Sequence, residues 1–150
     1  MNERDFLQNP IWAEDLVVES EENLAGVTRG PVLVRPDALL TVSGTHEGPI
    51  ELESGAQLRV VGVLRGFVAI GSLATATVIG DLEGDVEIRV AGNLIVESDG
   101  RFAGAVSNFG SFTNRGMRAG HVDGRAPDDS AGAVSVDRPH GPEKYRLPER

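Results

Sequence analysis

The chain has no cysteine, so neither a disulfide framework nor thiolate chemistry is open to it. Lysine is nearly missing too. Lys144 is the only one, and with a net charge of -9 the chain lacks the clustered cations that neutralise phosphates, which excludes nucleic acid as a main partner. Aromatic residues are scarce, at 5%, and the apolar content comes mostly from Val, Leu, Ile and Ala, a mixture suited to pleated layers of short strands. Long apolar runs are lacking as well. The charged start Met1-Asn-Glu-Arg-Asp-Phe6 leads into none, so neither a secretory signal nor a spanning helix is expected, and the expectation is a cytoplasmic, bacterial-type protein. At 150 residues the sequence has the size of one domain.

What the chain does have is glycine in a fixed pattern. A Gly-x-x-x-Gly pentad recurs at Gly26–Gly30, Gly44–Gly48, Gly62–Gly66, Gly80–Gly84, Gly100–Gly104 and Gly120–Gly124, with steps of 18, 18, 18, 20 and 20 residues. A period near that length marks a chain wound into stacked coils. Within it runs a period of six. Cut into sixes from Val32, the chain places Val34, Leu40, His46, Leu52, Leu58, Leu64, Ile70, Ala76, Leu82 and Ile88 at the third position. Even positions therefore face inward and odd positions outward, as along a strand.

These periods predict an all-β fold, a parallel β-helix (β-solenoid) of triangular cross-section with about five coils of 18–20 residues. Val32, Ile50, Val68, Val86 and Val106 then stack as one aliphatic column, each burial contributing roughly 1.5–3 kcal/mol that no coil gains alone. The inward column inside the pentads reads Thr28, His46, Leu64, Leu82, Phe102 and Val122. The pentad glycines are assigned to corners and close approaches. No helical period follows them, so they do not form a phosphate-binding loop.

Three segments follow: an acidic N-terminal capping segment 1–25, the solenoid 26–124, and a Pro-rich, flexible C-terminal tail 125–150, to which Val134-Ser-Val136 adds a short strand. Segment 1–25 holds seven acids against the single base Arg4, while residues 26–124 hold eleven acids against eight arginines. The acidity is thus concentrated at one end. Phe6, Leu7, Ile11 and Trp12 flank a turn at Asn9-Pro10, and they either cover the first coil or contact a partner or membrane. Acidic neighbours repel anionic lipid, so the membrane is the less favoured of these. After Gly80 the coils lengthen and aliphatics give way to Phe102, Phe109, Phe112, Asn108 and Asn114, so the regular core is expected to loosen there.

Chemistry is not expected of these residues. His46 faces inward, His121 lies outward in the last pentad and His140 is in the tail, so the three cannot converge on a metal. Glu51, Glu53, Glu83, Asp85 and Glu87 face outward among arginines, and Glu47 is expected beside Arg29 and Arg65, with Arg65 beside Glu83. No carboxylate pair is placed in an apolar pocket, and no serine has a histidine beside it. The reading is of a protein that is not an enzyme and has no cofactor.

The run Gly62-Val-Leu-Arg-Gly-Phe-Val-Ala-Ile-Gly and its continuation through Gly80-Asp-Leu-Glu-Gly-Asp-Val-Glu-Ile88 resembles the repeat of bactofilins, the polymer-forming bacterial cytoskeletal proteins. The likeness spans about residues 26–124. It implies a right-handed β-helix that assembles end to end into nonpolar filaments without nucleotide, as a homo-oligomeric scaffold. By position, the resemblance puts the self-assembly contacts at Phe102, Phe109 and Phe112 at one end and at Val27, Val32 and Val34 at the other; the phenylalanines serve equally as an end-cap on the chain's own tail. Two other functions remain open. One is an acidic, immunity-type protein that covers a basic toxin or nuclease through the N-terminal segment or the tail, and the other is a hexapeptide-repeat acyltransferase.

Overall fold

Strands of three or four residues bury little by themselves, and in this chain each finds its partners one coil away. The computed structural model describes residues 16–129 and 134–136. Among these there is no helix; every element is a short strand, and the strands form three parallel sheets. The first sheet stacks Leu16–Val18, Val32–Val34, Ile50–Leu52, Val68–Ile70, Val86–Ile88, Val106–Asn108 and Val122–Gly124. The second stacks Glu21–Leu24, Leu39–Val42, Gln57–Val60, Thr75–Val78, Asn93–Val96, Ser111–Asn114 and Asp128–Asp129. The third runs from Val27–Arg29 through Thr45–Glu47, Val63–Arg65, Asp81–Glu83, Arg101–Ala103 and Met117–Ala119 to Val134–Val136. Three walls enclose one core, which is the expected triangular β-solenoid.

Each sheet has seven strands, more than the five coils read from the glycines. The added layers lie at the ends. Residues 16–24, assigned to the N-terminal cap by their acidity, supply two strands of the first layer, and residues 128–129 and 134–136 contribute to the last. Gly26–Gly30 marks only the third wall of the first layer, and residues 16–24 and 128–136 carry no such pentad, so the period there is masked. At about 4.8 Å per step the seven layers make a rod on the order of 30 Å long.

The aliphatic columns form as the alternation requires. Val32 pairs with Ile50, Ile50 with Val68, Val68 with Val86 and Val86 with Val106, all buried. On the opposite wall Leu40, Leu58, Ala76, Leu94 and Phe112 are likewise in register and buried.

Corners set the length of a coil. In the central coils the first and second sheets are joined by four residues and the other two corners take two each, giving 18. The four-residue corners are turns closed by bonds such as Ala38 N to Arg35 O at 3.1 Å and Ala74 N to Gly71 O at 3.1 Å. Their third residue has positive φ, at 63° in Asp37, 76° in Gly55, 64° in Leu73 and 67° in Ala91. This is the position that requires positive φ in a type II turn. The second glycine of each pentad holds the corner from third to first sheet. A Cβ on Gly66, whose φ is 154°, would run into the carbonyl of Gly48 in the preceding coil, so only a bare Cα lets the coils stack.

After Gly84 the spacing changes for a reason the pentads conceal. The corner at residues 97–100 has four residues where earlier coils have two, and the corner at 109–110 has two where they have four. Pairing therefore steps by 20 from Asp81 to Arg101 and by only 16 from Arg101 to Met117. The pentad that continues the column is Gly116-Met-Arg-Ala-Gly120, and Gly120–Gly124 falls partly on the first sheet. Arg118, not Val122, thus follows Phe102 in the inward column, while Val122 pairs with Val106.

Two substitutions test this account of the corners. Gly66→Ala is expected to lower the unfolding free energy by about 2–5 kcal/mol, combining a glycine-only backbone conformation with overpacking against the next coil. Leu73→Asn is expected to raise it by about 0.5–1 kcal/mol, because Leu73 is exposed and its left-handed backbone suits asparagine better. Urea denaturation followed by circular dichroism reads both.

Candidate functional site

A solenoid must end its core twice, and this one does so by opposite means. At the C-terminal end the inward columns turn polar. Asn108, Asn114 and Arg118 occupy places held by aliphatic or aromatic residues in the preceding layers, and all three are buried. Each is hydrogen-bonded, as burial demands. Asn108 Oδ1 accepts from Gly110 N at 3.0 Å and Asn114 Oδ1 accepts from Gly116 N at 3.1 Å, so each asparagine builds the two-residue corner that follows it. Their amides reach onward into the last layer, Asn108 Nδ2 to Arg125 O at 3.0 Å and Asn114 Nδ2 to Asp129 Oδ1 at 2.9 Å.

Arg118 closes the same end. Its Nε and Nη2 donate to the two carboxylate oxygens of Asp129, each at 3.0 Å, and its side chain is 7% exposed. The guanidinium, with help from Asn114 and against some desolvation, holds the Asp129 carboxyl below its usual 3.8. Just inside, Phe102 and Phe112 meet edge to face with ring centroids 5.9 Å apart. The core is therefore sealed there by aromatic packing and then by a bonded polar lid, and the loosening expected from the sequence does not occur.

The N-terminal end has no such lid among the described residues. Leu16, Leu24, Val27 and Thr28 of the first layer surround a cavity of about 520 Å³, with Val32 and His46 of the second layer as its floor and Arg29 completing the lining. The lining is mostly apolar. Val27 is 75% exposed, Leu16 and Val17 are exposed too, and Leu16–Val18, Glu21–Leu24 and Val27–Arg29 are each the terminal strand of their sheet. Glu22 stands at an inward register position above Leu40 yet is exposed, so this layer does not close over the core.

His46 is buried at the floor of that cavity. A carbonyl oxygen only accepts, so Nε2–H of His46 donates to Gly30 O at 2.9 Å, leaving Nδ1 to accept from the Thr28 hydroxyl at 2.7 Å. Burial, the largest influence, pushes its pKa below 6.5 despite the Gly30 carbonyl and the Glu47 charge. The imidazole is thus neutral, held in one tautomer, and structural.

The residues assigned to self-assembly divide in two. Phe102, Phe112, Val32 and Val34 are buried inside the chain because the alternation turns them into the core, and of the four only Val32 reaches the floor of the N-terminal cavity. Val27 and Phe109 are exposed. Phe109 lies at the corner of residues 109–110 and is preceded at the same corner of earlier coils by Val90 and Leu73, which are also exposed. Phe6, Leu7, Ile11 and Trp12 lie outside the described residues, as does His140.

Outward charges form the expected ladder. Arg29 and Glu47 approach to 3.4 Å, Glu47 and Arg65 to 3.6 Å, and Arg65 and Glu83 to 3.2 Å. All are well exposed, so each pair contributes at most about 0.2–1 kcal/mol. His121 bonds Asp123 at 2.8 Å in the last layer, distant from His46 in the second. Among the described residues no three His, Asp or Glu side chains are placed to hold a metal ion, and no helix is long and apolar enough to cross a membrane.

Both ends make measurable predictions. Asp129→Ala leaves a buried guanidinium without its carboxylate and is expected to cost about 2–4 kcal/mol, somewhat less than for a fully buried pair because Asp129 is partly exposed. For His46 the unfolded chain takes up a proton below pH 6.5 that the folded chain does not, so stability is level above that pH and declines below it. Urea midpoints of the native protein and His46→Gln between pH 7.5 and 5 check this, with the decline expected to be shallower in the variant.

No protein-family model, no curated protein and no solved structure matches this chain.

Proposed function

We propose that the protein is a non-enzymatic structural scaffold that assembles end to end, in the manner of the bactofilins its repeat resembles. One observation carries this reading: the N-terminal end of the described residues, where the terminal strands of three sheets surround an apolar cavity. Strand edges are templates for another chain. Here they come as three parallel edges on a triangular frame, and a docked solenoid end of matching shape would continue all three sheets while covering Val27, Leu16 and Val17. The long walls support the same reading, being studded with paired charges that favour solubility over lateral fusion.

The contact residues follow from exposure. Val27 is retained from the sequence assignment, Leu16 and Val17 join it, and Val32 and Val34 drop to supporting roles beneath the surface. Phe109, with Leu73 and Val90 along one corner, is a separate apolar ridge on the flank. On this reading the protein works in the cytoplasm with copies of itself as its first partner.

Sedimentation velocity and negative-stain microscopy over rising concentration test the proposal. Filaments or a ladder of end-joined oligomers are expected, and Val27→Glu is expected to lower the assembled fraction by tenfold or more without changing the circular dichroism spectrum. A discrete monomer or dimer at every concentration would sink the scaffold reading.

A further inference from the structure

We propose that the second wall of the solenoid is a two-fold contact surface on which a second copy of this chain docks face to face, with the two rods antiparallel. Charge sets this wall apart. From Leu39–Val42 to Ser111–Asn114 its outward residues include a single charged side chain, Arg59, and the last strand adds Asp128. The other two walls are unsuited to meeting their own copies. The first carries Glu51, Glu87 and Asp123 at outward strand positions and no base, so two copies would set like charges together, while the arginines and glutamates of the third are already paired within the chain. The paired charges that oppose lateral fusion therefore leave one wall open to it.

Register supplies the symmetry. Arg59, Thr77, Ile95, Thr113 and Asp128 follow one another strand by strand in a single outward column. Read from the other end, the same column begins with an acid and finishes with a base. A two-fold axis through Ile95, parallel to the strands, sets Arg59 against the partner's Asp128, Thr77 against the partner's Thr113 and Ile95 against its own copy, and every contact is made twice. Arg59 and Asp128 are exposed, and among the described residues neither forms an ion pair on its own chain.

The edges of the wall obey the same axis. At the corner leading into it, Glu53, Gly71, Arg89, Phe109 and Arg125 form another column, through bonds such as Gly71 N to Leu52 O and Arg125 N to Asn108 O, both 2.9 Å. The axis sets Glu53 against the partner's Arg125. Arg89, at the centre, points instead to Glu87 of the first wall, 3.7 Å away. Along this corner Leu73 comes beside the partner's Phe109 and Val90 beside its own copy, which covers the exposed apolar ridge. Such a contact also accounts for Leu73, whose exposed side chain gains nothing in folding from the left-handed position that Asp37 and Gly55 fill in earlier layers. On the far edge Glu97 meets its own copy, each one neutralised by its Arg115 at 3.2 Å.

Five layers and a strand's width with its corners give a footprint of roughly 400 Å² per copy, small beside the about 800 Å² per partner of a standard interface. The dimer is accordingly weak, and its ion pairs make it sensitive to salt. None of this rests on the end-to-end reading, which uses a different surface.

Sedimentation equilibrium of Val27→Glu protein, in which contacts at the N-terminal end are suppressed, tests the wall alone. A monomer–dimer equilibrium is expected at roughly tens to hundreds of micromolar, weakening several-fold as salt rises. Arg59→Asp and Asp128→Arg are each expected to raise the dissociation constant tenfold or more, and the double variant to bring it back near the native value. Within one chain these residues are four coil steps apart, about 19 Å, so such a rescue acts between copies. Both are exposed, and the thermal melt is expected to stay in place. Since the chain has no cysteine, Ile95→Cys supplies a single thiol, which a short bismaleimide is expected to link into a dimer, whereas Ser107→Cys on the first wall is not linked. A monomer up to millimolar concentration overturns the proposal, as does a dimer indifferent to Arg59→Asp, a double variant no tighter than its parents, or equal linking at the two thiols. If the dimer behaves as expected and protein with native ends forms no filaments, the scaffold reading fails and the wall contact stands; filaments without the charge-swap rescue leave the scaffold and remove the wall contact.

Discussion

Parallel, in-register hydrogen bonding between successive coils is the constraint on which everything else depends. A three-residue strand gains nothing from its own coil, because its neighbours in sequence turn a corner and leave. Its backbone groups are satisfied only by the coils before and after, through bonds such as Val63 N to Gly44 O and Asp81 N to Gly62 O, both 2.9 Å. From that requirement follow the glycines, since a coil 4.8 Å away leaves no room for a Cβ at the corners, and the inward columns, since residues one coil apart must pack on each other. It also means that stability accumulates by layers, and that the first and last layers lack a partner on one side.

The two ends resolve that deficit with different chemistry. The C-terminal end substitutes polar for apolar side chains, with two asparagines bonding the two-residue corners that follow them and one arginine held bidentate by Asp129. At the N-terminal end the columns stop with Leu16, Leu24 and Thr28, above a neutral His46 bonded on both ring nitrogens. Among the described residues three terminal strands border this apolar opening, and such a surface in water is costly, which is the physical basis for the function proposed there.

Much of this was legible in the residues. Alternation fixes which side chains face inward, and the 18-residue step alone places Glu47 beside Arg29 and Arg65. The shift near residue 100 was not legible, for a definite reason. Two residues gained at one corner and two lost at another leave the inward–outward parity unchanged, so the pattern reads on smoothly while the pairing moves. The glycines compound this: Gly116, Gly120 and Gly124 offer two overlapping pentads, and only pairing of Phe102 with Arg118 selects the first. By their position near one end, the resemblance puts Phe102 and Phe112 at a contact surface. Alternation already turns both rings inward, and what no spacing encodes is their edge-to-face meeting across the core.

The sequence by itself determined the period, the three-walled coil, the inward columns and the outward charge ladder, because these depend on relations between residues a fixed distance apart. Only the tertiary structure decided the number of layers, the register after Gly84 and how the C-terminal end of the core is closed. Those depend on how corners of unequal length add up in space and on whether side chains far apart in sequence, such as Asn114, Arg118 and Asp129, arrive at the same place.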